Sequence, residues 1–260
     1  MSEAKQAAID VTGIPLNRRE DFADFARELV ALAGENMLGL CAYGGWLVGD
    51  PCFARQPALS VLVLARADLE TLDRIAQRGG RYGRHNISAP LSMTPEYIAR
   101  SCDAFPLEFL EIQQVHHLVY GRDYFADLKL PAHDLRVQCE REVKSELIQL
   151  RHGLLAAHGR HKLLHEVCVA AAVRTARVAR GLLHLMGKDV PARACDILAA
   201  TSQAAGVPLA TLSTALGGEE RLEFSGFQQC YAEVEAFAAF LDAFGSHTAP
   251  AQSAPREQAQ

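Results

Sequence analysis

The 260-residue sequence has no CxxC pair among its seven cysteines, no excess of basic charge, no long uncharged apolar run and only one tryptophan. Each absence excludes something. Cysteines at 41, 52, 102, 139, 168, 195 and 230 are too scattered for a zinc ribbon, and the ten histidines add no zinc pattern. Most of these cysteines sit in apolar stretches and read as reduced core thiols of a cytosolic protein. A net charge of -5 argues against a dedicated nucleic-acid binder. No run approaches the roughly 20 apolar residues of a membrane span; the best candidate, 167–173, is cut by Arg174. The opening MSEAKQAAIDVTG lacks a basic stretch followed by an apolar core, so no signal peptide is read and a cytoplasmic location is expected. One more absence is local: no Asp or Glu lies between Asp50 and Asp68.

About half of the residues are apolar, enough to bury a core. Phe22, Phe25, Ala26, Leu29, Val30 and Ala33 recur at helical spacing and predict a helix over 19–33, stopped at Gly34. The run MLGLCAY (37–43) predicts a buried strand ending in Gly44-Gly45, and ALSVLVLA (58–65) predicts a second. Asp68 opens a helix that Gly79-Gly80 should close. Residues 87–93 are read as a third strand. Thr94-Pro95-Glu96 then starts a helix, with Thr as N-cap and Pro at the first helical position. The run FPLEFLEI (105–112) is read as a fourth strand with acidic residues embedded in it. The segment 118–134 is turn-rich and marks the domain boundary.

Beyond Asp134, read as an N-cap, the pattern is helical. Helices are expected to about 155 and near 161–186, 192–205, 208–216 and 226–244, separated by Gly and Pro. From 134 to 193 there are 11 Lys/Arg against 6 Asp/Glu; from 194 to 260 there are 2 against 8. The basic helices either face an anion or pack against the acidic ones. The fold class expected is α+β: a small mixed-sheet domain over 18–130, a helical bundle over 131–245 and a disordered tail over 246–260.

The order helix, strand, Gly-Gly, loop, strand resembles the DNA polymerase β-type nucleotidyltransferase superfamily. The later runs 94–98, 103–112, 120–121 and 135–142 are similar to small bacterial nucleotidyltransferase-like proteins. In that family a strand ends in Gly-Ser, and a loop with a second Gly leads to a strand opening with Asp-x-Asp. The Gly-rich turn lets backbone N–H groups approach phosphates. Three carboxylates bind two Mg²⁺, which neutralise the phosphoryl group. The resemblance implies phosphate contacts at Gly44, Gly45 and Gly49.

The sequence departs from this pattern at the metal site. The expected acidic positions fall at Pro57 and Leu59, or at Ala58 and Ser60 if the register slips by one. The phosphate-contacting Ser is replaced by Gly45. Glu108 or Glu111 stands where the resemblance puts the third carboxylate; on a strand the two would face opposite sides, and Arg100 and Arg122 are candidate partners. Asp50 is the nearest spare carboxylate, either a metal ligand or a turn residue before Pro51. Trp46 beside the turn suggests a filled cleft or an exposed aromatic for a partner.

Other candidates are His116-His117, poor joint ligands on an extended segment, and His161 with His165 at helical metal-pair spacing but without the HExxH glutamate. Arg174, Arg177 and Arg180 form a helical stripe, either for a phosphate or as a solvated or acid-paired face. Arg136, Glu140 and Lys144 form a helix-supporting ladder, with Arg141 and Ser145 at the same spacing.

These features lead to a degenerate nucleotidyltransferase-like protein, a pseudoenzyme that binds a nucleotide or a protein partner, with no confident metal. A homodimer through the helical domain is an alternative partnership. An active enzyme using Asp50, Glu108 and Glu111 with Mg²⁺ and an NTP is the second reading. A helical interaction protein on an α/β scaffold is the third.

Overall fold

The structure, a computed structural model, describes residues 8–160, 162–218 and 221–248. Helix α1 (Arg19–Ala33) precedes strand β1 (Met37–Tyr43), two short 3-10 turns (Gly45–Val48 and Pro51–Phe53) and strand β2 (Leu59–Leu64). Helices α2 (Leu69–Ala76) and α3 (Gly79–Arg84), strand β3 (Leu91–Met93), helices α4 (Pro95–Arg100) and α5 (Pro106–Gln114) and strand β4 (His116–Gly121) follow. The remainder is helical: α6 (Ala132–Ala156), α7 (Lys162–Leu185), α8 (Ala194–Ala205), α9 (Ala210–Gly217) and α10 (Phe224–Thr248). The chain is therefore a small mixed four-stranded sheet followed by a helical bundle, as the sequence pattern leads one to expect.

The sheet order is β3-β2-β1-β4. β1 runs antiparallel to β2 and β4, whereas β2 and β3 are parallel. Alternation along β1 and β2 sends Leu40, Ala42, Leu62 and Leu64 toward α1 and sends Cys41, Val61 and Val63 toward α5. Phe22, Phe25 and Leu29 of α1 close the first face. Each such buried side chain contributes roughly 1.5–3 kcal/mol.

The run FPLEFLEI is a helix, not the fourth strand. Pro106 occupies its first turn and Glu108 complements its N-terminal end. Phe109 and Ile112 pack on the sheet while Leu107 and Leu110 join the core of the bundle. Burial on two faces leaves α5 only a narrow polar strip at Glu108 and Glu111, so its apolar run imitates a buried strand. The fourth strand is instead β4, which overlaps the start of the segment read as turn-rich.

Four smaller corrections concern ends. Gly79-Gly80 opens α3 rather than closing α2, and the third strand shrinks to Leu91–Met93 with an isolated bridge between Ala58 and Ile87. Asp134 lies in the first turn of α6, whose N-cap is Pro131. Residues 246–248, read as the start of a disordered tail, continue α10; the rest of that tail lies outside the described residues. The caps at Asp68 and Thr94 form as read, accepting from the N–H groups of Thr71 and Tyr97.

Candidate functional site

The end of β1 sets the geometry. Gly44 has φ 97 and ψ 175, a conformation open essentially to glycine alone. Its N–H donates to the Val115 carbonyl at 2.9 Å, which ties the turn to the end of α5. Gly49 is left-handed, φ 63, and closes the 3-10 turn by donating to the Gly45 carbonyl.

Gly45 stands where the resembling family has Ser. A β-carbon built there would lie 2.3 Å from Cδ2 of Phe53. The Phe53 ring therefore occupies the space a Ser side chain would need. Trp46 does not fill the cleft and is not an exposed aromatic. It is 5% exposed, packs on Phe22 with ring centroids 5.6 Å apart and donates from Nε1 to the Tyr43 carbonyl at 2.7 Å. Sequence reasoning placed an aromatic at this turn but chose the wrong one, because a 3-10 turn rotates Trp46 under α1 and brings Phe53 back over Gly45.

Beyond the turn, a cleft of about 210 Å³ lies between Gly45 and Phe53 on one side and α7 and α8 on the other. Arg174, Arg177 and Arg180 line it, with Glu111 of α5. A second cleft of about 350 Å³ adjoins it across Glu111 and Arg177. Its walls are Tyr43, Leu59, Tyr97, Phe105 and Phe109. Burial, with Glu111 nearby, pushes the Tyr43 hydroxyl up to about 12.

Leu59 lines the second cleft, whereas Ala58 and Ser60 are buried and Pro57 is exposed ahead of β2. The Ser60 hydroxyl is buried without a hydrogen-bond partner. At this point of β2 the cleft wall is thus an apolar Leu side chain. β4, the other neighbour of β1, has the sequence HHLVYG and carries no Asp or Glu.

The remaining carboxylates have structural partners. Asp50, 1% exposed, accepts from the Cys52 N–H at 3.0 Å and the Ala194 N–H at 2.7 Å. The turn reading of Asp50 holds, and its second bond also caps α8 from another part of the chain. Glu108 and Glu111 do not face opposite sides: one turn apart on α5, they meet the same guanidinium. Arg177 Nη2 lies 2.6 Å from Glu108 and its Nε 3.6 Å from Glu111. Burial raises the Glu108 pKa, but the Gln138 hydrogen bond and Arg177 outweigh it and leave it lowered. Arg100 pairs with Glu96 and Arg122 lies over Tyr124, so neither serves Glu108 or Glu111.

Arg174 pairs with Glu146 of α6. Arg180, 7% exposed, donates to Gln114 Oε1 at 3.0 Å and to the Ala192 carbonyl at 3.3 Å. The arginine stripe thus meets α5 and α6 rather than the acidic last helices. It is Lys144 that reaches α10, lying 2.7 Å from Asp242; Arg136 and Glu140 form the ladder pair, and Arg141 pairs with Glu142 rather than Ser145.

His116 and His117 point apart, to Asp123 at 2.8 Å and Asp10 at 3.7 Å. His165 Nδ1 accepts from the Leu222 N–H; His161 lies outside the described residues. Among the described residues no three His, Cys, Asp or Glu are grouped to hold a metal ion. The seven cysteines are free, four of them buried. Among the described residues no helix is long and apolar enough to cross a membrane.

Together these elements define an α+β protein whose cleft joins a Gly-Gly turn to an arginine-bearing helix of a bundle. No family model and no curated protein matches the chain.

Proposed function

We propose that the chain is a nucleotidyltransferase-like binding protein that has lost metal-dependent catalysis and holds a nucleotide directly with its own side chains. The carrying observation is the engagement of the three nearby carboxylates. Asp50 caps α8, while Glu108 and Glu111 hold Arg177. Turning Asp50 toward a metal would leave two N–H groups without their acceptor, at about 1–3 kcal/mol for each one buried. Leu59 on the cleft wall supports the same reading, since Mg²⁺ is held by carboxylate and phosphate oxygens. The active-enzyme alternative, with Mg²⁺ and an NTP, requires these three carboxylates to leave their partners.

Calorimetry with ATP and GTP, with and without Mg²⁺, tests the proposal. The expected result is binding whose affinity does not depend on the metal. Tight binding only with Mg²⁺ would overturn it. A second reading, docking of a protein partner, is favoured by Leu91, Tyr97 and Phe105 at the rim of the second cleft, 46%, 47% and 42% exposed. An absence of nucleotide binding in either condition would move the function to that surface.

A further inference from the structure

The polar side chains of the second cleft are not equally engaged. Both carboxylate oxygens of Glu108 have donors, Gln138 Nε2 at 2.8 Å and Arg177 Nη2 at 2.6 Å. Glu111 differs. Its ion contact with Arg177 Nε is 3.6 Å long, and that buried Nε has no hydrogen-bond partner. Among the described residues neither Glu111 oxygen accepts a hydrogen bond, and the Tyr43 hydroxyl has no partner either. Tyr43 stands close enough to Glu111 for the carboxylate to help keep the hydroxyl protonated. Aromatic rings surround these groups: Phe109 is buried in the wall, while Tyr97 and Phe105 stay half-exposed at the mouth. The volume of about 350 Å³ falls in the range of small-molecule sites, roughly 300–1,000 Å³. Open acceptors and an unpaired hydroxyl among aromatic rings suit a flat ring that stacks and presents hydrogen-bond donors on its edge.

We propose that the second cleft seats the purine base of the nucleotide and that Glu111 selects guanine, its carboxylate accepting from the N1–H and 2-amino groups of the ring. This deepens the nucleotide-binding reading and rests on it. Guanine sets these two donors side by side, next to the O6 acceptor. A carboxylate can take two parallel N–H bonds, and the Tyr43 hydroxyl is the donor for O6. Adenine instead sets an unprotonated N1 beside a single amino group, so a ring lone pair would meet the carboxylate. A site with an acceptor pair to satisfy disfavours a ligand that leaves part of it unpaired. The base is uncharged, so its seat requires no unmatched positive charge, and the ion partners of Arg174 and Arg177 stay in place. The two clefts adjoin across Glu111 and Arg177, so a base held here directs the rest of the nucleotide toward the Gly-Gly turn. The subsite ranks the nucleotides and excludes neither: ATP remains a ligand, the weaker of the two.

The test is titration of the full chain, without metal, with guanosine, inosine and adenosine, and then with GTP and ATP. Guanosine should bind at least tenfold tighter than adenosine, with inosine, which lacks the 2-amino group, between them. GTP should bind tighter than ATP. Glu111→Gln should weaken guanosine binding by at least tenfold and adenosine binding by less than threefold. Phe105→Ala, at a half-exposed position, should weaken both nucleosides by a similar factor, since stacking is indifferent to the base edge. The ranking of the three nucleosides needs no variant and stays readable if Glu111→Gln does not fold. Equal affinity for guanosine and adenosine, or no guanosine bound at about 1 mM, would overturn the proposal. GTP and ATP bound alike, with no preference among the nucleosides, would overturn this subsite yet leave the nucleotide reading standing. Guanosine bound through Glu111 with neither triphosphate bound would support the subsite and defeat the nucleotide reading.

Discussion

Asp50 and Ala194 are 144 residues apart, yet the Asp50 carboxylate accepts from the Ala194 N–H at 2.7 Å. This bond joins the loop after the Gly-Gly turn to the first turn of α8. It gives the acidic residue nearest the expected metal site a structural task.

Replacing Asp50 with Ala should therefore destabilise the fold by about 2–4 kcal/mol, combining a lost cap with unsatisfied N–H groups. Asp50→Asn, which keeps one acceptor oxygen, should lose less. Urea denaturation with both variants checks this. Unchanged stability for Asp50→Ala would return Asp50 to the list of free carboxylates.

Placing at position 45 the Ser of the family that the sequence resembles should not create a phosphate contact. Gly45 has no positive φ, so the backbone accepts Ser, but the Phe53 ring stands 2.3 Å from the new β-carbon. Gly45→Ser should cost about 1–3 kcal/mol. In the double variant with Phe53→Ala the penalty for Ser should fall, giving a coupling that a double-mutant cycle reads directly.

Arg177→Met should leave Glu108 and Glu111, one turn apart on α5, without their shared cation. The groups are partly exposed, so solvent limits the loss to about 1–2 kcal/mol. Adding Glu111→Gln to that variant should recover part of the loss. Thermal denaturation of the single and double variants is sufficient, and strict additivity would show that the two carboxylates do not share the guanidinium.

His116 and Asp123 give a pH dependence of defined sign. Burial raises the Asp123 pKa, but the His116 hydrogen bond and the N–H groups of Phe125 and Ala126 outweigh it, and the folded value lies below the ordinary 3.8. The associated stability is complete above the unfolded value and is lost as pH falls through the folded one. Asp123→Asn should cost about 1–3 kcal/mol at neutral pH and flatten the acid limb of stability between pH 2 and 5. An acid limb identical to that of the native chain would exclude this assignment.

Much of the frame is legible without coordinates. The period of α1, the runs of β1 and β2, the caps at Asp68 and Thr94 and the helical second half follow from local rules that depend on neighbours three or four residues away. The helix α5 was not legible, because Leu107 and Leu110 answer to the bundle and Phe109 and Ile112 to the sheet. Nor was Glu233, whose carboxylate accepts from the N–H groups of Thr211 and Leu212 and caps α9 across the chain.

By itself the sequence determined that β2 offers no carboxylate and that a small sheet precedes a bundle, since both depend on which residues follow one another. Tertiary structure alone decided that Phe53 rather than Trp46 stands over Gly45, that Glu108 and Glu111 share Arg177, and that Arg180 donates to the neutral Gln114 Oε1 and Ala192 carbonyl. Those are facts about which distant side chains meet, and sequence separation carries no information about the short-range forces between them until the chain has folded.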